Sequence, residues 1–229
     1  MEIKPVAYIH TDFKEKFGIP RQSGRVPQLL GRIVFEKEFA DANALRGIEG
    51  FSHLWLIFDF EKARKDTVSL TVRPPRLGGN KRVGVFASRS PYRPNHLGLS
   101  VVKLERVEHD KKCGPVLIVS GVDILDNTPI YDIKPYLPYA DCINDAFGGY
   151  SEETYRYRLN VDFPSGLLNK IPKEKQEAVL GCLKEDPRPS YHEDGRVYSM
   201  AFSDFDIHFK VEDKNLFVIG VENLRKLND

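Results

Sequence analysis

Leu99-Ser-Val-Val-Lys-Leu-Glu-Arg-Val107 is the stretch from which the fold is read. From Ser100 onward one face of the stretch is apolar and the other charged, the pattern of a strand with one buried side. Neighbouring segments repeat the theme. Val6–His10, Gly31–Glu38, Phe51–Phe60, Val68–Arg73, Val83–Ser88 and Val116–Val122 are rich in Val, Ile, Leu and Phe, and Gly, Pro, Asp or Asn bound them. Asp41 is placed to cap a short helix running through Arg46 and stopped at Gly47. Helical crossovers are missing between these strands, which excludes a doubly wound parallel sheet. A closed or nearly closed antiparallel β-barrel, or a sandwich, fits better.

The texture changes near residue 145. Gly148-Gly149 opens a polar stretch, and Pro172–Leu183 then carries helical spacing, with Val179, Leu180 and Leu183 on one side. Val197–Phe202, Asp206–Val211 and Leu216–Val221 read as three more strands. Two domains are therefore expected: a β-rich unit over 1–145 and a small α+β unit over 146–229.

Bulk composition allows 229 residues of ordinary globular character, 41% hydrophobic and 29% charged. Cys113, Cys142 and Cys182 lie far apart, without the spacing of a disulfide framework, a zinc site or an iron–sulfur site. No run of apolar residues approaches membrane-spanning length, and Met-Glu-Ile-Lys-Pro lacks the layout of a signal peptide. The expectation is a cytoplasmic protein with no membrane partner and no metal.

Net charge is only +1, yet the charge is segregated. Between Thr67 and Leu104 there is no Asp or Glu, while Arg73, Arg76, Lys81, Arg82, Arg89, Arg93 and Lys103 are all basic. The window carries +7, and the rest of the chain, with 27 basic and 33 acidic residues, carries −6. Such separation attracts a polyanion while the whole stays near neutral, unless the charges scatter over several faces of a sheet.

Four segments carry chemistry that folding does not require. Gly18-Ile-Pro-Arg-Gln-Ser-Gly24 holds Arg21 and Gln22 between glycines and a proline. Gly50-Phe-Ser-His-Leu-Trp55 puts Ser52 and His53 into an apolar strand, although a lone His53 is more commonly a hydrogen-bonded core histidine. Arg73-Pro-Pro-Arg-Leu-Gly-Gly-Asn80 leads to Gly84-Val-Phe-Ala-Ser-Arg-Ser-Pro-Tyr-Arg-Pro-Asn-His-Leu-Gly98, where Pro91 and Pro94 stiffen a loop bearing Arg89, Tyr92, Arg93, Asn95 and His96. A stiff loop loses little entropy on gripping a ligand, and the arginine fork suits phosphate or carboxylate. The alternative is a surface loop of solvated arginines. Asp126-Asn-Thr-Pro-Ile-Tyr-Asp-Ile-Lys-Pro-Tyr136 begins as a turn, and Asp132 and Lys134 share one strand face as an ion pair or a pocket wall. No G-x-G-x-x-G after a first strand, Walker A sequence, G-x-S-x-G elbow or H-E-x-x-H is present.

Taken together, these segments resemble the TsaA-like family, in its TrmO-type (YaeB-like) branch. The likeness runs through P-R-Q at 20–22, G-x-E-G-F-S-H-L-W at 47–55, R-P-P-R-L-G-G-N at 73–80, G-V-F-A-S-R-S-P-Y-R-P-N at 84–95, G-L-S at 98–100 and D-x-T-P-x-x-D-I-K-P-Y at 126–136. A weaker match follows at D-P-R-P-x-Y, 186–191. The resemblance implies a β-barrel methyltransferase, a homodimer, that uses S-adenosylmethionine to methylate N6 of threonylcarbamoyladenosine beside the anticodon of tRNA. Carried over by position, cofactor contacts fall on Pro20, Arg21, Gln22, His53, Leu54, Arg89, Leu99, Asp126, Asn127, Thr128 and Pro129. Where the family more often has Pro-Ile and Gly, this chain has His96-Leu97 and Asn127; asparagine tolerates the left-handed turn that glycine favours.

The chemistry then asks for a proton acceptor and for cations. Asp132, Lys134 and Tyr136 are the candidate catalytic group. Arg73, Arg76, Arg82, Tyr92, Arg93 and Asn95 are the candidates for gripping the tRNA, with Arg89 and Arg93 offsetting negative charge and Tyr92 or Tyr136 stacking on the base. Rival readings are a non-catalytic RNA-binding module and a methyltransferase for a small molecule or a protein.

Overall fold

The computed structural model describes residues 2–64, 67, 69–74, 77, 81–152, 155–188 and 195–227. Its first part runs through β1 (Ala7–His10), β2 (Leu30–Phe35), β3 (His53–Asp59), β4 (Thr71–Val72), β5 (Val83–Gly84), β6 (Leu97–Asp110), β7 (Gly114–Ser120) and β8 (Thr128–Pro135). Six of these pair in the order β1-β2-β7-β6-β3-β8, and β8 returns to β1 through Ala7↔Ile130 and Ile9↔Thr128. Every pairing in this ring is antiparallel. The ring therefore leaves no free edge, which removes the template for edge-to-edge aggregation.

Alternation explains what fills it. Leu54, Leu56 and Phe58 of β3 point inward, as do Val102 and Leu104 of β6, and all are buried. Their neighbours His53, Trp55, Ile57, Lys103 and Glu105 are less enclosed and take the other face. Register shifts at Ile57/Phe58 and at Leu104/Arg106 are bulges, which bend long strands around a closed ring. The mainly β expectation holds, and β6 extends beyond the predicted Leu99–Val107 at both ends.

Two predicted strands shrink. Val68–Arg73 is a strand only at Thr71–Val72, with Val68 outside the described residues, and Val83–Ser88 is a strand only at Val83–Gly84. The two short pieces pair with each other as a separate ribbon, and the chain turns through Val85–Ala87. Asp41 does cap a short 3-10 turn, Ala42–Leu45, by accepting from the Asn43 N–H at 2.7 Å.

After α1 (Pro138–Asp141), the second part comprises β9 (Asn160–Asp162), α2 (Ser165–Leu168), α3 (Lys173–Lys184), β10 (Val197–Phe202), β11 (Phe205–Glu212) and β12 (Asn215–Asn223). The sheet order is β10-β11-β12-β9, with β9 parallel to β12. The helix buries Ala178, Val179, Cys182 and Leu183. One apolar cluster is continuous through both sheets, with Phe13 edge-on against Phe202 and Val26 against Gly181 of helix α3.

The connection is stapled at the segment 12–25. Lys175 Nζ lies 2.5 Å from Asp12 Oδ1, Arg25 Nε lies 3.1 Å from Glu185 Oε2, and Arg21 donates to the Arg188 carbonyl at 3.0 Å. Phe17 stacks on Tyr198 at 6.2 Å between ring centroids. Gly18 sits at φ 93, and a Cβ there would meet the Met200 sulfur at 2.5 Å, so conformation and space both demand glycine. The loop bearing Pro20, Arg21 and Gln22 is thus held by the second sheet as well as by the ring.

Candidate active site

At one rim of the ring, four distant pieces of chain enclose a cavity of about 700 Å³. They are the loop 18–24, the end of β3 with the turn Glu61–Ala63, the segment from Phe86 to Ser100, and the segment 123–129. Arg89 Nη1 donates to Gln22 Oε1 at 2.6 Å and ties the first piece to the third. Phe58 lies across from Gly98 in the β3–β6 pairing, where a Cβ would intrude to 2.3 Å of the ring. Only glycine lets that aromatic wall lie flat. Phe58 in turn meets Phe60 edge-on at 5.0 Å.

The turn after Asp126 is built as the sequence suggests. Asn127 takes the left-handed conformation at φ 58, and Thr128 Oγ1 donates to the Leu125 carbonyl at 2.7 Å. The Asp126 side chain is committed elsewhere, to Lys14 Nζ at 2.5 Å and the Thr11 N–H at 3.0 Å. Burial pushes its pKa up, but Lys14 and that N–H outweigh it and hold the carboxyl below its usual range.

Three further carboxylates line the cavity, of which Glu61 is exposed. Asp59 is buried against Arg64 and accepts from the Tyr131 hydroxyl at 2.9 Å; burial and that bond raise the Tyr131 pKa. Asp123 accepts from Ser100 Oγ at 2.7 Å, and the nearby Ser23 N–H and the Arg89 charge also favour its ionised form. Burial wins over these: the Asp123 carboxyl is pushed up to about 6. A carboxylate shifted towards neutrality in a cleft is a candidate for function.

Beyond Arg89 the cavity meets a larger recess of about 1140 Å³, with Arg21, Gln22, Phe86, Ser88, Arg89, Pro91 and Arg93 in the wall of both. Arg73, Arg82 and Tyr92 line the recess, as do Arg25, Tyr150 and Tyr155. Arg82 donates to Thr71 Oγ1 at 2.8 Å and Arg93 to the Ser88 carbonyl at 3.1 Å. Four of the acid-free window's seven cations, Arg73, Arg82, Arg89 and Arg93, therefore converge; Lys81 and Lys103 line neither chamber, and Lys103 is paired with Glu105 at 3.0 Å.

Of the predicted cofactor contacts, Pro20, Arg21, Gln22, Arg89, Leu99 and the turn Asp126 to Pro129 are brought together. His53 and Leu54 are not. Leu54 is fully enclosed within the ring, and His53 stands beside Ser52 Oγ at 2.9 Å and the Tyr136 ring. Five residues of strand separate His53 from Phe58, roughly 17 Å of rise. The wall that β3 supplies is its far end, Phe58 to Ala63.

The predicted catalytic group also lies away from this cavity. Asp132 and Lys134 pair with each other at 2.9 Å with both side chains well exposed, and Tyr136 packs against Trp55 at 5.8 Å. None of the three lines the cavity. Alternation along β8 turns Asp132 and Lys134 outward beside Ile57 and Trp55. Among the tRNA candidates, Arg73, Arg82, Tyr92 and Arg93 share the recess, Asn95 lines the smaller cavity, and Arg76 lies outside the described residues. Sequence reasoning missed Asp123 and Ser100. The available signal was an acid inside the apolar run Gly121-Val-Asp-Ile-Leu125, immediately after a strand.

Residues 8–142 match the family model of the tRNA-methyltransferase O N-terminal domain, and residues 156–224 match that of the TrmO C-terminal domain. The chain is 37% identical over 230 residues to the tRNA (adenine(37)-N6)-methyltransferase of Escherichia coli, covering 96% of this chain and 97% of that protein. It is 41% identical over 216 residues to a putative S-adenosylmethionine-dependent methyltransferase, RcsF, of Pseudomonas aeruginosa, covering 90% and 91%. A crystal structure of TrmO from Pseudomonas aeruginosa superposes with a TM-score of 0.77 at 33% identity, over 97% of this chain and 99% of that one.

Proposed function

The chain belongs to the TrmO family of tRNA methyltransferases, and from that premise we propose that it transfers a methyl group from S-adenosylmethionine to N6 of adenine 37 in tRNA. The observation that carries this reading is the convergence of Gln22, Arg89, Leu99 and Thr128, from four distant segments, on one cavity that meets an arginine-lined recess. Its volume, about 700 Å³, is in the range of small-molecule sites.

The residues present fit the cofactor. Arg89 and Gln22 form a polar grip for a carboxylate, Phe58, Leu99 and Pro129 give apolar faces to a purine, and the backbone of the turn 126–129 meets polar edges. S-adenosylmethionine, when bound, supplies a methyl already made electrophilic by its sulfonium. The protein must then align the attacking nitrogen and keep water away. Phe58, Phe60 and Phe86 line an apolar wall, and the Arg89–Gln22 bond fixes the two loops that close over it. Arg73, Arg82 and Arg93 hold the anticodon-arm phosphates along the recess, and Tyr92 is the surface for base stacking.

Finer points belong to the same reading. The nucleotide is threonylcarbamoyladenosine, whose carboxylate Arg93 can pair. The six-strand ring is a closed antiparallel β-barrel, the unit 1–145 is the catalytic domain, and 146–229 both braces the cofactor loop and aids tRNA binding. Exposed Tyr139, Ile143 and Phe147 offer apolar surface to a second copy, which supports a homodimer. Among the described residues no helix is long and apolar enough to cross a membrane; the tRNA substrate favours the cytoplasm. Nucleoside mass spectrometry of tRNA from cells with and without the gene tests the function: N6-methylated adenosine derivatives should vanish on deletion and return with the gene. Unchanged nucleosides would refute it.

A further inference from the structure

Four carboxylates line the cavity, and their surroundings separate them. Asp59 is paired with Arg64, and Asp126 with Lys14. Glu61 is exposed on the turn after β3. Asp123 alone is held by a neutral donor without a cation, the Ser100 hydroxyl at 2.7 Å, with the Ser23 N–H nearby, and among the described residues no cation stands within ion-pair distance of it. Arg89, which forms part of both the cavity and the recess, is the charged group facing it. Asp123 therefore sits on the wall between β6, the loop 18–24 and the Arg89 loop, close to where the two chambers join.

The reaction has a step that needs such a group. N6 of the modified adenine has its lone pair delocalised into the ring and into the carbamoyl carbonyl, so it attacks well only as its proton leaves. We infer that Asp123 is the proton acceptor of the methyl transfer, with Ser100 as the residue that positions its carboxylate. This rests on the functional reading above. As the N6–C bond forms, the carbon–sulfur bond breaks and its electron pair goes to sulfur. The N6 proton passes to an Asp123 carboxylate oxygen, so the products are methylated tRNA, S-adenosylhomocysteine and a neutral carboxyl that later releases its proton to solvent. A base that titrates near the working pH is the efficient one, and burial has moved Asp123 in that direction.

Single-turnover methylation of tRNA carrying threonylcarbamoyladenosine, from pH 5 to pH 9 on the intact protein, tests this. Unsubstituted protein should lose rate below about pH 6, the value to which burial raises the carboxyl. Asp123→Asn should slow the transfer by about 10² or more and flatten that limb, with the S-adenosylmethionine Kd changed by about threefold at most. Ser100→Ala removes a bond that favours the ionised form, so it should move the break upward in pH. Carbon-13 NMR of the Asp123 carboxyl, without any substrate, should show its midpoint near 6 and an upward move in Ser100→Ala. The inference is overturned if Asp123→Asn transfers at the unsubstituted rate, if its whole loss follows from weakened cofactor binding, or if the carboxyl titrates in the ordinary range. Absence of methyl transfer by the unsubstituted protein would instead overturn the functional reading, and the inference with it.

Discussion

Replacing Asp123 with asparagine should raise the stability of the fold at neutral pH, even as it removes activity. The Asp123 carboxyl titrates at about 6 in the folded chain against 3.8 for a free one, because burial penalises its charge. The native state therefore binds that proton more tightly than the unfolded chain does. Below about pH 3 both states hold the proton, and the site costs nothing. As pH rises from about 3 to about 7 the unfolded chain ionises first and stability falls; above about 7 the full penalty remains. The gap between 3.8 and about 6 corresponds to about 3 kcal/mol, and partial exposure of the group brings a practical figure nearer 2 kcal/mol. Asparagine keeps an acceptor for Ser100 Oγ, so little is lost in exchange. For a chain of this size, about 2 kcal/mol is a Tm increase of roughly 4–8 °C. Thermal melts of both proteins from pH 3 to pH 8 read the effect: the difference should be near zero at about pH 3 and reach its plateau above about pH 7. A variant less stable than the parent at pH 8, or a gain equally large at pH 3, would refute the reasoning.

Other outcomes follow from other parts of the site. Gly98→Ala drives a methyl into the Phe58 ring, so it should destabilise the fold by about 1–3 kcal/mol and weaken S-adenosylmethionine binding in a calorimetric titration; retention of both would mean the wall is slack. Reversing charge at Arg73 and Arg82 should weaken tRNA binding and reduce its dependence on log salt by about 1–2, leaving cofactor affinity intact. Glu185, buried between Arg25 and Arg158, braces the segment beside the cofactor loop. Glu185→Ala leaves Arg25 and Arg158 only the Tyr155 and Tyr157 carbonyls, so it should cost about 1–2 kcal/mol, lower Tm by roughly 2–8 °C, and weaken S-adenosylmethionine binding in a calorimetric titration.

Where the chain follows simple alternation, the sequence was a good guide. Leu99–Val107 and Val116–Val122 read as strands because each buries one face or lies in a run of β-branched residues. Asn160–Asp162 escaped because two of its three residues are polar, and its place in the sheet comes from parallel pairing with β12 across a helix. The site was legible where local chemistry is unusual: two prolines flanking arginines, or an Asp-Asn turn. His53 and Leu54 lie off the cavity because adjacency in a motif says nothing about which end of a strand reaches it. Asp123 was hidden for a related reason. Its surroundings are set by Ser100 and Ser23, 23 and 100 residues away in sequence, and by a burial that only the closed ring creates.

The most direct measurement is to incubate the purified protein with S-adenosylmethionine and threonylcarbamoyladenosine-containing tRNA, then digest the tRNA and locate the added methyl. One methyl group on N6 of adenosine 37, lost when Arg89 is replaced by alanine, is the predicted result. Methyl groups elsewhere in the tRNA, none at all, or full transfer without Arg89 would contradict the account.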